Sequence, residues 1–184
     1  MGLALVAGCQ SAHEKQPLPP ALYGSDTDAQ LEFWHTMAER RLTSNNEAFH
    51  GILLYADGQD PATTYEARVA ALKSRKMLPQ GFNRPADEAV SRGDLAVAVV
   101  RVLQMKGGLM MHVLGPMPRY ATRELVFNGI YPISSPQQTF SGSEFVGVIG
   151  KLEDVQNPQK AEAPPPAAGS IPPANTPGGP GGPG

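Results

Sequence analysis

Several things are scarce in this chain, and each shortage removes a class of function. Cys9 is the only cysteine in 184 residues, which excludes an internal disulfide and a zinc site built from paired thiolates. No run of about eighteen apolar residues occurs, so the sequence offers no candidate membrane-crossing helix. Positive charge is also short: 15 Lys and Arg stand against 17 Asp and Glu, for a formal net charge of -2. No stretch concentrates cations enough to neutralise a row of phosphates, and nucleic acid is not an expected partner.

Chemistry is thin as well. The histidines His13, His35, His50 and His112 are scattered, and no two stand four apart around a glutamate, so no metal site is expected. Asp57, Asp60 and Glu66 bracket Gly58 without the spacing of a calcium loop, which favours a turn linking two helices. There is no Gly-x-Ser-x-Gly elbow, and Gly107-Gly108 has no phosphate-loop context. The methionines at 105, 110, 111 and 117 read as core filler. No cofactor is implied, and a non-catalytic protein is expected.

What is present begins at the N-terminus. Met1-Gly-Leu-Ala-Leu-Val-Ala-Gly-Cys9 is apolar, narrows to small residues and ends at a thiol, with polar Gln10 to Lys15 following. This resembles the lipobox of bacterial lipoproteins. The resemblance implies cleavage before Cys9 and lipid attachment to its thiolate, a soft nucleophile. The two or three acyl chains of such proteins anchor firmly where one would not. Gln10, in place of Asp, implies outer-membrane delivery facing the periplasm. The charged start of a full signal is missing, so the true start is expected upstream.

Gln16-Pro17-Leu18-Pro19-Pro20 suits an extended linker over residues 10–25, lifting the domain off the membrane. At the other end, Gln156–Gly184 holds nine Pro, six Gly and no aromatic residue. It has too little apolar surface to offset an ordering cost of about 1 to 2 kcal/mol per residue, and a disordered tail is expected over 156–184. Pro164-Pro165-Pro166 and Pro172-Pro173 are candidate polyproline ligands for a partner.

Between these ends helix-start signals recur. Ser44 with Glu47, Thr63 with Glu66, Ser91 with Asp94, and Ser141 with Glu144 each place a hydroxyl three residues ahead of an acid, the capping-box pattern. Phe49, Ile52, Leu53 and Ala56 then share one helical face, as do Tyr65, Val69 and Leu72, and Phe145, Val148, Ile149 and Leu152. Leu95–Val100 is apolar all round and predicts the most buried helix. Further helices are expected from about Asp28 to Leu42, using Leu31, Trp34 and Ala38, and from about Tyr120 to Asn128. Gly58, Gly107 and Gly129 are stops, with Ile130 placed for a Schellman-type end. Leu109–Leu114 reads as an irregular buried segment. The expected fold is all-α: a compact bundle of about six helices in three helix-loop-helix pairs over residues 26–155.

The boxes at Ser44, Ser91 and Ser141 stand 47 and 50 residues apart, a repeat-like spacing. Leu78-Pro79-Gln80-Gly81-Phe82-Asn83-Arg84-Pro85, followed by Ser91-Arg92-Gly93-Asp94-Leu95-Ala96, resembles an S-layer homology motif. Leu125, Gly129, Ile130 and Ser141–Phe145 repeat the outline, as do Trp34 and Ser44–Phe49. The resemblance implies three motifs packed as a prism that binds cell-wall polysaccharide through the helix-start Arg and an aromatic or acidic neighbour. Arg92 alone keeps that Arg, with Asn45 and Gly142 in its place elsewhere, so Arg92 and Trp34 are the candidate glycan contacts. The remaining expected partner is another envelope protein.

Overall fold

A computed structural model describes residues 11–105 and 115–158. Among them the chain forms six helices: α1 (Thr27–Glu39), α2 (Asn45–Asp57), α3 (Tyr65–Ser74), α4 (Arg92–Val102), α5 (Pro118–Phe127) and α6 (Gly142–Gln156). The expectations for Cys9, Gly107, Leu109–Leu114 and the tail from Gln159 onward fall outside these residues.

The helix starts follow from short-range chemistry. Ser44 Oγ accepts from the Glu47 N–H at 3.3 Å while the Glu47 carboxylate accepts from the Ser44 N–H at 2.8 Å, which satisfies two donors that have no acceptor inside the helix. Ser141 and Glu144 repeat the box at 3.3 and 2.9 Å. Ser91 accepts from the Asp94 N–H at 3.1 Å, but Asp94 is one methylene shorter than Glu and takes the Ser91 hydroxyl at 2.7 Å instead of the backbone. α3 departs from expectation by one residue. Its cap is Thr64 rather than Thr63, accepting from Ala67, and Glu66 forms no box.

Three pairs, α1–α2, α3–α4 and α5–α6, close into a ring. α2 packs on α3, α4 on α5, and α6 returns to α1, so the second helix of each pair meets the first helix of the next. Extended residues ahead of Ser44, Ser91 and Ser141 form the hub. The Asn45 N–H donates to the Glu88 carbonyl at 2.8 Å, Arg92 to Gln138 at 2.7 Å, and Gly142 back to Arg40 at 2.8 Å. Each donor is the first N–H of a helix, so the hub satisfies groups that the helix itself leaves unpaired. Thr43 and Val90 add bonds to Phe140 and Thr43 across the same hub.

That hub also explains two departures at α1. The helix stops at Glu39 rather than near Leu42, because Arg40 and Thr43 must leave the helix for the Arg40 carbonyl and the Thr43 N–H and carbonyl to join the ring. Its core face is Phe33 and Met37, both fully buried, with Trp34 alongside; Leu31 is 59% exposed and Ala38 lies on the outer face. Ala56 of α2 is likewise exposed, at the helix end.

The segment expected as a free linker is docked. Ala12 and Glu14 pair with residues 87–89 through two backbone bonds of 2.8 Å, Leu18 is buried, and Pro20–Tyr23 form a 3-10 turn against α1. Leu18 and Tyr23 supply apolar contacts that a composition of prolines did not suggest.

At α5 the expected Schellman end is present: Gly129 has φ of 71°, its N–H donates to Val126, and Ile130 donates to Leu125 and is buried beside it. α3 and α4 end the same way with Lys76 (φ 58°) and Gln104 (φ 51°) where glycine is usual. The core is continuous, centred on Phe33, Phe49, Phe140, Phe145 and Leu95. All nine residues from Arg92 to Val100 are buried, as the unbroken apolar run of α4 predicts.

Candidate functional site

Three places carry concentrated chemistry: the hub, a buried charge network under α2, and a set of surface grooves, one between neighbouring helix pairs and two within a pair.

At the hub every box acid is met by an arginine. Arg40 Nη2 donates to Glu47 at 2.8 Å, Arg84 lies 3.4 Å from Asp94, and Arg92 Nη2 donates to Glu144 at 2.6 Å. Arg92, a candidate glycan contact, also donates from Nε to the Thr139 carbonyl and lies over the Phe140 ring at 4.8 Å. Its side chain is 7% exposed. Burial pushes the Glu144 carboxyl up, but hydrogen bonds from the Ser141 N–H and Arg92 outweigh it and hold the group below its ordinary value. The third motif carries Gly142 instead of Arg for a steric reason: a Cβ there would fall 1.7 Å from the Met37 carbonyl.

Beneath α2, His50 is fully buried. Its Nδ1 donates to Asp60 Oδ2 at 2.7 Å, and Arg68 Nε donates to the same oxygen. Arg68 extends the network to Asn46 Oδ1 at 2.8 Å and the Ala62 carbonyl at 2.9 Å, and its guanidinium lies 4.8 Å over the Tyr23 ring. Burial raises the Asp60 carboxyl, yet the bonds from His50, Arg68 and the Ala62 N–H leave it lowered overall. Burial, with the Glu47 charge, pushes the Tyr23 hydroxyl up to about 12. His50 Nε2 meets no partner among the described residues, with Tyr23 and Phe33 rings edge-on at 5.0 and 4.7 Å. The expected structural histidine is therefore present. Asp60 and Arg68 were not legible as its partners, since no helical or strand period links 50, 60 and 68.

Trp34, the other candidate contact, is half-buried and does not join Arg92. It stacks on Phe145 at 6.1 Å and lines a groove of about 580 Å³ between α1, α2 and α6, with Tyr55 and Glu153. A second groove, of about 560 Å³, runs between α3 and the Phe82–Ala86 loop. Its apolar walls are Tyr65, Val69 and Phe82, and Lys73, Asn83 and Arg84 supply polar groups. Tyr65 lies nearly parallel to Phe49 at 6.0 Å and donates to the Arg84 carbonyl, fixing the loop. Arg119 and Tyr120 border a third groove, with Pro136, away from Trp34.

No group of three or more potential metal ligands and no helix long and apolar enough to cross a membrane occur among the described residues. No protein-family model, no curated protein and no solved structure matches the chain.

Proposed function

We propose that this protein is a lipid-anchored component of the bacterial cell envelope whose helical domain is a non-catalytic binding or scaffolding module of the S-layer homology type, contacting cell-wall polysaccharide. The observation that carries this reading is the hub: three capped helix starts donating in a closed cycle from 45 to 88, 92 to 138 and 142 to 40. Such a ring packs three motifs around one core and leaves surface grooves beside their helices. The lipobox-like Met1–Cys9 supports anchoring, with Cys9 as the attachment point and the outer membrane, facing the periplasm, as the location.

Since the Arg92 guanidinium is engaged by Glu144 and Thr139, the ligand contact is placed in the α3 groove. Sugar rings stack on aromatic faces while their hydroxyls need polar partners, and the half-buried Tyr65 beside Lys73 and Asn83 offers both. Purified cell walls should sediment the protein. Replacing Lys73 and Asn83 with Ala should weaken that binding about 5–30-fold, the value of one or two polar contacts. A folded protein that stays in the supernatant defeats the proposal. Mass spectrometry of the N-terminal peptide from native expression tests the anchor: a diacylglycerol-modified Cys9 is expected, and an unmodified Met1 overturns it.

A second reading, an assembly lipoprotein that grips another envelope protein, is favoured by Phe127 and Ile133, which are 86% and 96% exposed near the end of α5. Crosslinking from position 133 in cells should then recover a protein partner; recovery of none counts against it.

A further inference from the structure

The consecutive carbonyls from Arg84 to Glu88 lie in no helix, and each is taken by a donor from elsewhere in the chain. The Tyr65 hydroxyl donates to Arg84 at 2.8 Å and the Asn45 side-chain amide to Pro85 at 2.9 Å. The Asn46 N–H donates to Ala86 at 3.0 Å and the Asn45 N–H to Glu88 at 2.8 Å. Asp87 is held differently, by the N-terminal segment. The Glu14 N–H donates to its carbonyl at 2.8 Å, and beside it the Ala89 N–H donates to Ala12 at 2.8 Å. Arg84, Pro85 and Ala86 are also one wall of the groove beside α3. A stretch with no helical ladder takes its shape from such tertiary bonds, so these clamps set the wall.

The clamps are unequal. Tyr65 and Asn45 open the helices α3 and α2. Ser11–Gln16 belongs to no helix and buries no apolar side chain: Glu14 is partly buried and the rest are exposed. Its other ties are a His13–Asp87 pair at 3.1 Å, 45% and 57% exposed, and contacts of Arg40 with the Gln16 carbonyl and, at 3.5 Å, with Glu14. Beyond Pro17 the chain is held by its core contacts: Leu18 is buried, and the Tyr23 ring stands edge-on to His50 at 5.0 Å. Segments with few buried apolar contacts open locally at far less cost than the whole domain. Residues 11–16 therefore come away while 18–23 stay docked.

We propose that Ser11–Gln16 is a latch on the α3 groove. Docked, it completes the row of clamps and holds the Arg84–Ala86 wall in the shape that binds ligand. Released, it frees Asp87, and the wall relaxes. Such coupling is reciprocal, so a ligand seated in the groove tightens the latch by the factor by which the latch tightens the ligand. The inference rests on the reading of this groove as the cell-wall site, and adds a segment outside the groove lining that sets its affinity.

Glu14→Pro removes the N–H that Asp87 accepts, whereas Glu14→Gln keeps it. In sedimentation with purified cell walls, Glu14→Pro should bind about fivefold or more weakly than wild type, and Glu14→Gln within about twofold of it. His13→Ala, which removes only the exposed pair, is the milder second variant and should weaken binding about twofold. In the free proteins, amide hydrogen exchange at Ala89 and at Asn46 should be faster in Glu14→Pro than in wild type, with exchange inside α6 unchanged as the sign that the fold is kept. Soluble cell-wall fragments added to wild type should slow exchange at Ala89. Equal binding by wild type, Glu14→Pro and His13→Ala overturns the latch and leaves the groove reading standing. Weaker binding with unchanged exchange at Asn46 overturns it too, by making Glu14 a direct contact of the ligand. Wild type that fails to bind cell walls defeats the groove reading, and the latch falls with it.

Discussion

Replacing Asp60 with Asn tests the balance of charge inside the domain. Asp60 Oδ2 accepts from both His50 and Arg68, and Oδ1 accepts from the Ala62 N–H at 3.0 Å. An asparagine cannot serve all three, since one of its two terminal atoms is itself a donor and must face an N–H in either orientation. The change also leaves the Arg68 guanidinium, 3% exposed, without its counter-charge. Removing one partner of a buried pair costs about 3–5 kcal/mol. For a chain of this size that lowers Tm by about 6–20 °C. The exposed pair of Arg75 and Asp57, 43% and 32% exposed, supplies the control, because Asp57→Asn should cost less than about 1 kcal/mol. Urea denaturation of the three proteins measures both. Because the folded-state carboxyl of Asp60 is held below its ordinary value of 3.8, its contribution is complete above that pH and is lost as pH falls through the folded value. The gap between wild type and Asp60→Asn should therefore narrow below about pH 4. Equal costs for Asp57→Asn and Asp60→Asn, or a gap that widens in acid, would refute the reasoning.

Other positions give sharp expectations. Gly142→Ala forces a Cβ into the Met37 carbonyl, and since backbone rather than a flexible side chain must yield, a loss of at least about 3 kcal/mol is expected in denaturant titration. Tyr131 is 2% exposed and its hydroxyl finds no partner among the described residues, so Tyr131→Phe should be neutral or stabilise by about 1 kcal/mol in the same assay. Lys76 holds a positive φ of 58° with its side chain in solvent; Lys76→Gly relieves that strain and should raise stability by up to about 1 kcal/mol, seen as a higher Tm.

How much of this was readable beforehand depends on the range of the interaction. The caps at Ser44, Ser91 and Ser141, the Schellman end at Gly129 and the buried α4 rest on atoms within six residues of each other, and spacing along the chain encodes them. The misreadings share a different origin. The face of α1, the docking of residues 12–23 and the early stop at Glu39 are set by groups dozens of residues away. The candidate contacts divide similarly: Arg92 and Trp34 were visible as residue types, but their partners Glu144 and Phe145 lie 52 and 111 positions further on.

By itself, then, the sequence determined six helices, the caps at Ser44, Ser91 and Ser141, and the order in three pairs, because helix signals are local and periodic. Only the tertiary structure decided that the pairs close into a ring, that Gly142 stands where an arginine would collide with α1, and that His50, Asp60 and Arg68 form one buried unit. Those outcomes depend on which surfaces meet across the ring, and contact between distant segments leaves no period in the chain.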